Sequence, residues 1–149
     1  MAKATQRQIV AEISAVRDVP GHIPGPSFST YFATVSGGEI SAAVEKVYDG
    51  GASFPEVLCA PSEIGDITLS RFYDPDDDAT RLNNLRQLVG STYYDVKIYT
   101  LNCDLAEPGS ERIYPRCLLV GLTEPDGDAS SGAPASFSLT FSVSRVSAI

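Results

Sequence analysis

The chain has 149 residues, of which 43% are hydrophobic and 20% are charged, and its formal net charge is −8. These values are typical of one soluble globular domain and exclude a disordered tail. No apolar run approaches the roughly 18 residues that span a bilayer, and the N-terminus lacks the pattern of a signal peptide. The net negative charge disfavours a surface that binds nucleic acid tightly. It does not disfavour a surface along which nucleic acid slides.

The first half of the chain predicts strands. Residues 9–16 have ambiguous spacing, but their β-branched side chains favour a strand. Segments 28–35 and 39–48 flank Ser36-Gly37-Gly38, and two glycines that can take positive φ predict a hairpin turn between these segments. A long loop over 50–65 and a third strand over 66–73 follow.

One helix is predicted after these strands. Asp76, Asp77 and Asp78 offer capping side chains and favourable charge at its N-terminus, and Gly90 stands where a helix commonly ends. The spacing of four apolar residues gives the helix a single apolar stripe. The stripe comprises Leu82, Leu85, Leu88 and Val89.

Three strands are predicted in the rest of the chain, over 92–101, 112–122 and 136–144. Pro115 suggests an edge position or a late start for the second of these, because proline cannot donate to a sheet ladder. The last strand has the clearest pattern, since apolar and hydroxyl side chains alternate and must face opposite sides. Its apolar residues are Phe137, Leu139, Phe141 and Val143.

The sequence offers little material for catalysis or metal binding. His22 is the only histidine, and its Pro- and Gly-rich surroundings predict a surface turn. Asp74, Asp76 and Asp78 alternate as the first ligands of an EF-hand do, but Ala79 and Leu85 replace the glycine and the glutamate that such a loop requires. Helix capping explains the run better, and a weak cation contact is the alternative. We therefore predict a protein that is not an enzyme and uses no metal or other cofactor.

The cysteines predict no disulfide framework. Cys59, Cys103 and Cys117 are far apart in sequence and odd in number, which excludes a CxxC motif. We expect three buried free thiols.

The order of several short motifs resembles that of the bacteriophage tail tube family, whose fold is shared by tubes of contractile injection and type VI secretion systems. An aromatic strand enters a Ser-Gly turn, a Gly-Gly pair follows, and an Ile-Thr-Leu-x-Arg strand and an Asp- and Ser-containing loop come later. The motifs are Phe32-Ala-Thr-Val-Ser-Gly-Gly-Glu-Ile40, Val44-Glu-Lys-Val-Tyr-Asp-Gly-Gly51, Ile64-Gly-Asp-Ile-Thr-Leu-Ser-Arg71 and Asp126-Gly-Asp-Ala-Ser-Ser131.

The resemblance implies a mainly β fold, an antiparallel β-sandwich or small barrel with one flanking α-helix. Residues 1–149 would form a single tail-tube domain, with an N-terminal arm or strand and a Pro-rich turn over 1–27 and a long inter-subunit loop over 50–65. Hexameric rings would join their sheets into one inner β-barrel and stack into a conduit for DNA during genome ejection. The implied partners are the chain itself, the tape measure, the terminator and distal tail or baseplate proteins. The implied location is the virion tail, assembled in the host cytoplasm.

Two groups of residues follow from this hypothesis. A smooth, like-charged wall would let DNA slide, whereas exposed apolar side chains in the long loop would need a neighbouring subunit. The expected lumen-facing residues are Glu39, Ser41, Glu45, Ser136, Ser138, Thr140 and Ser142. The expected inter-subunit contacts are Phe54, Val57 and Leu58. The alternative is a monomeric antiparallel β-barrel that binds a small apolar ligand in its interior.

Overall fold

A computed structural model describes residues 3–17, 20–28, 31–104 and 108–146. The fold is mainly β, with one α-helix among the described residues. After a one-turn 3₁₀ helix at Gln6–Gln8, the first strands are β1 (Ile9–Ala15), β2 (Thr34–Gly37), β3 (Ile40–Ala42), β4 (Glu45–Val47), β5 (Glu56–Leu58), β6 (Ser62–Ile64) and β7 (Ile67–Phe72). Helix α1 (Pro75–Arg86) precedes β8 (Tyr93–Leu101), β9 (Pro108–Thr123) and β10 (Ser136–Ser142). The described residues contain no helix that is long and apolar enough to cross a bilayer.

Six strands form one curled antiparallel sheet in the order β1-β8-β9-β10-β7-β2. The alternation predicted for the last strand is confirmed, because Phe137, Leu139 and Phe141 are each at most 1% exposed. They pack in the concave interior of the sheet with side chains from the other strands, from Phe28 and Phe32 and from α1. The mainly β fold with one flanking helix is therefore confirmed.

The outer strands of the sheet meet at one point. Ala11 and Phe32 exchange two backbone hydrogen bonds, of 3.0 and 2.7 Å, so the segment before β2 touches the free side of β1. Beyond that pair the two edges separate, and a hollow of about 340 Å³ lies between them. Its lining residues are Gln6, Ile9, Ala33, Thr34 and Val35. The sheet is thus a partly closed barrel.

The hairpin predicted around Ser36-Gly37-Gly38 is wrong. β2 pairs with β7, whereas β3 and β4 pair with β6 and β5 in a separate hairpin. Gly37 and Gly38 have φ of 91° and 77° and lead the chain out of the sheet. A Cβ on Gly37 would lie 1.9 Å from the Asp66 carbonyl oxygen, so glycine is required by a close backbone approach.

The second hairpin, residues 39–65, is called the projecting hairpin below. It contains the whole stretch predicted as a long loop, residues 50–65, and β5 and β6 lie within that stretch. Its strands pair with each other and not with the six-stranded sheet. Every residue from Glu39 to Phe54 is exposed, so this element stands away from the core.

Two further sequence predictions are corrected. α1 ends at Arg86 with Gln87 as its C-cap, and Gly90 closes the following turn instead of the helix. Pro115 lies in β9, which is interior to the sheet and not at an edge. The ladder with β8 has a bulge there, and the Arg116 N–H donates to Asp95 Oδ1 at 3.0 Å. A bulge tolerates proline because the ladder is already interrupted.

Candidate assembly surfaces

The convex side of the sheet carries a continuous patch of hydroxyl side chains. Directly paired residues project to the same side of a sheet, and the registers place Thr140 beside Thr68 and Ser138 beside Ser70. β2 and β9 extend the patch on either side. The hydroxyl face comprises Thr34, Ser36, Thr68, Ser70, Thr123, Ser136, Ser138, Thr140 and Ser142. The remaining partners of the β10 hydroxyl residues are Gly121, Leu118 and Phe72. None of the residues paired across these strands on this face is therefore charged.

The convex side of β1 and β8 differs in chemistry. Glu12 lies opposite Lys97, and Tyr99 lies opposite Glu111. Partial burial and the nearby carboxylates of Glu12 and Glu111 raise the pKa of Tyr99 to about 12. The sheet therefore divides into an uncharged hydroxyl half and a half with charged and aromatic side chains.

The projecting hairpin exposes large apolar side chains. Phe54 is 85% exposed at the tip, and Val57 and Leu58 are 55% and 41% exposed on β5. Four more apolar residues of the hairpin are also exposed: Ile40, Val44, Val47 and Tyr48. Isolated surface apolar residues are common, whereas a concentration of them on one element is typical of interaction surfaces.

The hairpin also bears the glutamates predicted to line a lumen. Glu39 and Glu45 lie on it together with Ser41, whereas the predicted hydroxyls of residues 136–142 lie in the six-stranded sheet. The structure does not bring these two groups onto one sheet. Alternation along the hairpin is also broken, because the Val44 N–H donates to the Ala42 carbonyl two residues before it.

A buried charged cluster, which the sequence did not reveal, holds α1 on the sheet. Asp78 is 1% exposed and forms ion pairs with Arg71 of β7 and Arg81 of α1. Its carboxylate also accepts from the Asp74 N–H at 3.1 Å. The Arg71 guanidinium lies 4.9–5.5 Å from the centroids of three phenylalanine rings. These rings belong to Phe28, Phe32 and Phe137.

This cluster accounts for the acidic run. Asp74 is the N-cap and accepts from the Asp76 N–H at 3.1 Å, as a capping side chain does. Among the described residues, no three metal-binding side chains lie close enough together to hold an ion. The Asp78 carboxylate pairs with two arginines and does not join Asp74 and Asp76 in a cation site.

His22 lies in an exposed turn, as predicted. Its Nδ1 is 3.0 Å from the Ser91 carbonyl oxygen, and its ring meets that of Tyr93 edge-on at 4.8 Å. These contacts fix the turn against the sheet.

The prediction of three buried thiols is wrong for two of them. Cys117 is buried, whereas Cys59 on the projecting hairpin and Cys103 in the turn after β8 are exposed. Burial and, to a lesser extent, Asp95 raise the pKa of the Cys117 thiol to about 12. The thiolate is the reactive form, so Cys117 should be inert near neutral pH.

Thiol alkylation at pH 8 checks this difference. We expect Cys59 and Cys103 to react fast in the native protein and Cys117 to react only after unfolding in denaturant. Mass spectrometry of the labelled peptides would identify each thiol. Equal labelling of all three in the folded protein would contradict the burial of Cys117.

Comparisons with solved structures define the class of fold, which is that of chains found in contractile injection assemblies. A chain of the anti-feeding prophage baseplate, a six-fold symmetrised structure, matches with a TM-score of 0.76 and 18% identity, over 99% of this chain and 95% of that one. A chain of an extracellular contractile injection system, in the PVC sheath/tube terminator in the extended state, matches with a TM-score of 0.71 and 22% identity, over 98% and 96%.

A chain of the PVC sheath-tube complex in the extended state has a TM-score of 0.69 and 22% identity, over 97% of this chain and 89% of that one. No family model and no curated protein sequence matches the chain. The fold implied by the sequence resemblance is therefore confirmed.

Proposed function

We propose that the chain is a structural subunit of a hollow tube in a phage-like tail or contractile injection assembly. The observation that carries this proposal is the shared fold, which extends over nearly the full length of the chain at TM-scores up to 0.76. Function does not follow from fold alone. The exposed surfaces described above supply independent support.

The open edges of the sheet suit ring formation. β1 and β2 are outer strands, and within the described chain the backbone bonds between these two edges join Ala11 of β1 to Phe32, which precedes β2. Unpaired strand edges favour pairing with another chain, and a ring of identical subunits closes them. We propose six copies per ring, in keeping with the six-fold symmetrised assembly that contains a similar chain.

The projecting hairpin is proposed to contact a neighbouring subunit through Phe54, Val57 and Leu58. The exposed apolar side chains would be covered in the assembly, which removes an aggregation hazard. Because the hairpin leaves the sheet at Gly38, it can reach beyond the subunit to which it belongs.

The hydroxyl face is proposed to line the bore. Side chains of residues 136, 138, 140 and 142 join hydroxyls of three neighbouring strands in a wetted surface with few large groups. Such a wall offers no charged donor to hold a phosphate. Glu39 and Ser41 near the base of the hairpin and Glu45 on β4 remain proposed lumen residues, whose carboxylates would repel a passing polyanion.

Lysine substitution tests the proposed role of the glutamates. The double variant Glu39→Lys/Glu45→Lys should assemble normally but slow the passage of DNA, because a cationic wall attracts phosphate. The delay should shrink at higher salt, since screening weakens that attraction. Ejection rates from particles built with this variant would measure the effect. The control is Asp77→Lys/Asp104→Lys, an equal charge change at exposed positions outside the hairpin and the hydroxyl face. Unchanged ejection at low salt would place both glutamates outside the bore.

The finer parts of the proposal concern cargo and partners. DNA is the proposed cargo, and the assembled tail is the proposed location after assembly in the host cytoplasm. Terminator, baseplate or distal tail, and tape measure proteins are the proposed partners of the stacked rings. Two of the similar chains come from a terminator structure and a baseplate structure, which supports the first two of these partners.

The tube agrees with the structure better than the apolar-ligand alternative. A ligand-binding barrel needs a space inside the sheet. In the described chain, that interior is filled by large side chains, each of which is less than 2% exposed. They include Tyr94, Phe32, Phe137, Phe141, Leu139 and Leu69.

Mass measurement and negative-stain microscopy of the purified protein test the proposal. We expect rings or tubes at high protein concentration. A species that stays monomeric, with no rings or tubes under any salt condition, would overturn it.

A further inference from the structure

The outer strand β2 has one edge that no strand of the described chain covers. On its other side lies β7, and the Tyr73 N–H donates to the Ala135 carbonyl at the end of the ladder between β7 and β10. Successive residues in an antiparallel ladder direct their backbone groups to opposite sides. The registers therefore direct the backbone groups of Thr34 and Ser36 towards β7. Those of Val35 point to the uncovered side.

The hollow of about 340 Å³ beside this edge is not closed by β1. On the β1 side, the Ile9 N–H already donates to the Gln6 carbonyl, and Ala11 is already bonded to Phe32. No charged side chain lines the hollow, whose lining residues are Gln6, Ile9, Ala33, Thr34 and Val35. The hollow is therefore an uncharged space beside the free edge of β2.

Of the four short strands of the projecting hairpin, only β3 contains no charged residue. Its sequence is Ile-Ser-Ala over Ile40–Ala42. The other three contain charged side chains, which are Glu45 and Lys46 in β4, Glu56 in β5 and Glu63 in β6. Burying a charge in an uncharged space is costly. β3 is therefore the hairpin strand that suits the hollow.

β3 also has a free edge of the matching kind. The Gly65 N–H donates to the Glu39 carbonyl at 2.8 Å, so the backbone groups of Glu39 point towards β6. By alternation, those of Ser41 also point towards β6, and those of Ile40 point away from it. The Ile40 side chain is 62% exposed, and its cross-strand partner Ile64 packs against the core. Ile40 thus combines outward backbone groups with an apolar side chain.

We propose that β3 of a second copy of this chain pairs antiparallel with the free edge of β2, with Ile40 opposite Val35. In an antiparallel pair, two residues whose backbone groups face each other lie directly opposite, and their side chains project to the same side. Val35 packs against the core, so Ile40 would enter the hollow beside it. The pairing would therefore satisfy two free strand edges and bury an exposed isoleucine.

The same register would extend the hydroxyl face across the subunit boundary. Ser41 would lie opposite Thr34, and Glu39 opposite Ser36, on the side away from the hollow. The two groups of proposed lumen residues, which lie on separate sheets of one subunit, would then share one sheet in the assembly. The proposal rests on the proposed tube and names the partner of β2. Because the two edges differ, the contact is heterologous and can propagate from subunit to subunit.

Hydrogen exchange of backbone amides tests the pairing without any substitution. Exchange would proceed in assembled tubes or in free subunits below the assembly concentration, and NMR after dissociation would read each amide. We expect the Val35 and Ile40 amides to exchange at least about tenfold more slowly in tubes, because pairing protects amides. The Ser36 amide, which faces β7, is the control and should be protected in both states. A Val35 or Ile40 amide that exchanges equally fast in both states would overturn the inference.

Disulfide trapping tests the register. In a Cys59→Ser/Cys103→Ser background, Thr34→Cys/Ser41→Cys should give a ladder of covalent oligomers after oxidation of tubes, because residues in such a pair have Cα atoms about 4.5 Å apart. Thr34→Cys/Glu63→Cys is the control. Glu63 lies opposite Ser41 but one strand further away, at about 10 Å from position 34 in this register, which is too far for a disulfide. Equal ladders from both pairs, or none from the first, would contradict the register.

A charge at position 40 tests the burial of its side chain. We expect Ile40→Asp to raise the critical concentration for tube formation at least about tenfold, because the carboxylate would enter an uncharged hollow. Val120→Asp is the matched control, at another exposed apolar position outside the hairpin and β2. Equal critical concentrations for the two variants would overturn the inference.

These outcomes separate the inference from the proposed function. If the wild-type protein forms no rings or tubes, both fall. If tubes form while the Val35 and Ile40 amides stay unprotected and the first cysteine pair gives no ladder, only the pairing of β2 with β3 falls, and the tube proposal stands.

Discussion

Replacing Asp78 with alanine should lower the free energy of unfolding by about 3–5 kcal/mol, the range for removing one partner of a buried ion pair. Asp78 is 1% exposed, and its removal leaves Arg71, whose side chain is 10% exposed, and Arg81 without their shared carboxylate. The Asp74 N–H also loses an acceptor at the start of α1. In a domain of this size, we expect the melting temperature to fall by roughly 10 °C.

Asp77→Ala is the matched control for this prediction. Asp77 is exposed in the same first turn of α1, where its charge contributes at most about 1 kcal/mol through the helix dipole. Urea denaturation monitored by circular dichroism would measure both variants. Similar losses from the two substitutions would show that Asp78 acts only through the helix N-terminus and not through the arginine cluster.

Replacing Phe54 and Leu58 with serine should abolish tube formation at concentrations that suffice for the wild-type chain. Both side chains are exposed, so the folded subunit loses little, whereas an interface loses its apolar anchors. Removing one such anchor commonly costs at least 2 kcal/mol of binding, or about a thirtyfold weakening per contact. Sedimentation of the assembled fraction would give the critical concentration.

Val89→Ser provides the comparison, because Val89 is an exposed apolar residue at 37% beyond the end of α1. We expect Val89→Ser to assemble as the wild type does. Both Val89→Ser and Phe54→Ser/Leu58→Ser should melt within a few degrees of the wild type. Normal tubes from Phe54→Ser/Leu58→Ser would show that the hairpin apolar residues are not subunit contacts.

Local patterns predicted the elements of the six-stranded sheet well. The alternation over 136–144 fixed which side of β10 is buried, and the aromatic and β-branched run over 92–101 corresponds to β8. These patterns depend only on the period of a strand.

Other features depend on contacts between distant residues. Two consecutive glycines predicted a tight turn, but Gly37 instead permits a close approach to Asp66, which immediately precedes the neighbouring strand β7. Likewise, the acidic run revealed capping but not that Asp78 is buried between Arg71 and Arg81. Pro115 was judged from its missing N–H alone, whereas a bulge opposite β8 accommodates it.

Among the residues proposed for assembly, some could likewise be predicted from local patterns, whereas others depend on contacts between distant residues. Sequence patterns indicated the apolar side chains of the hairpin, and the structure shows that they are exposed. The hydroxyl face could be predicted on one strand, but its extension over four strands depends on the strand order. The cleft between residues 23–26 and α1 depends on how these two segments pack, which no local pattern predicts.

A cryo-electron microscopy reconstruction of assembled protein tests the central claim most directly. We expect stacked rings of six subunits around a continuous bore, with Thr68, Ser138 and Thr140 facing the bore and Phe54 buried against another subunit. A reconstruction with no bore, or with the hydroxyl face on the outer surface of the assembly, would contradict it.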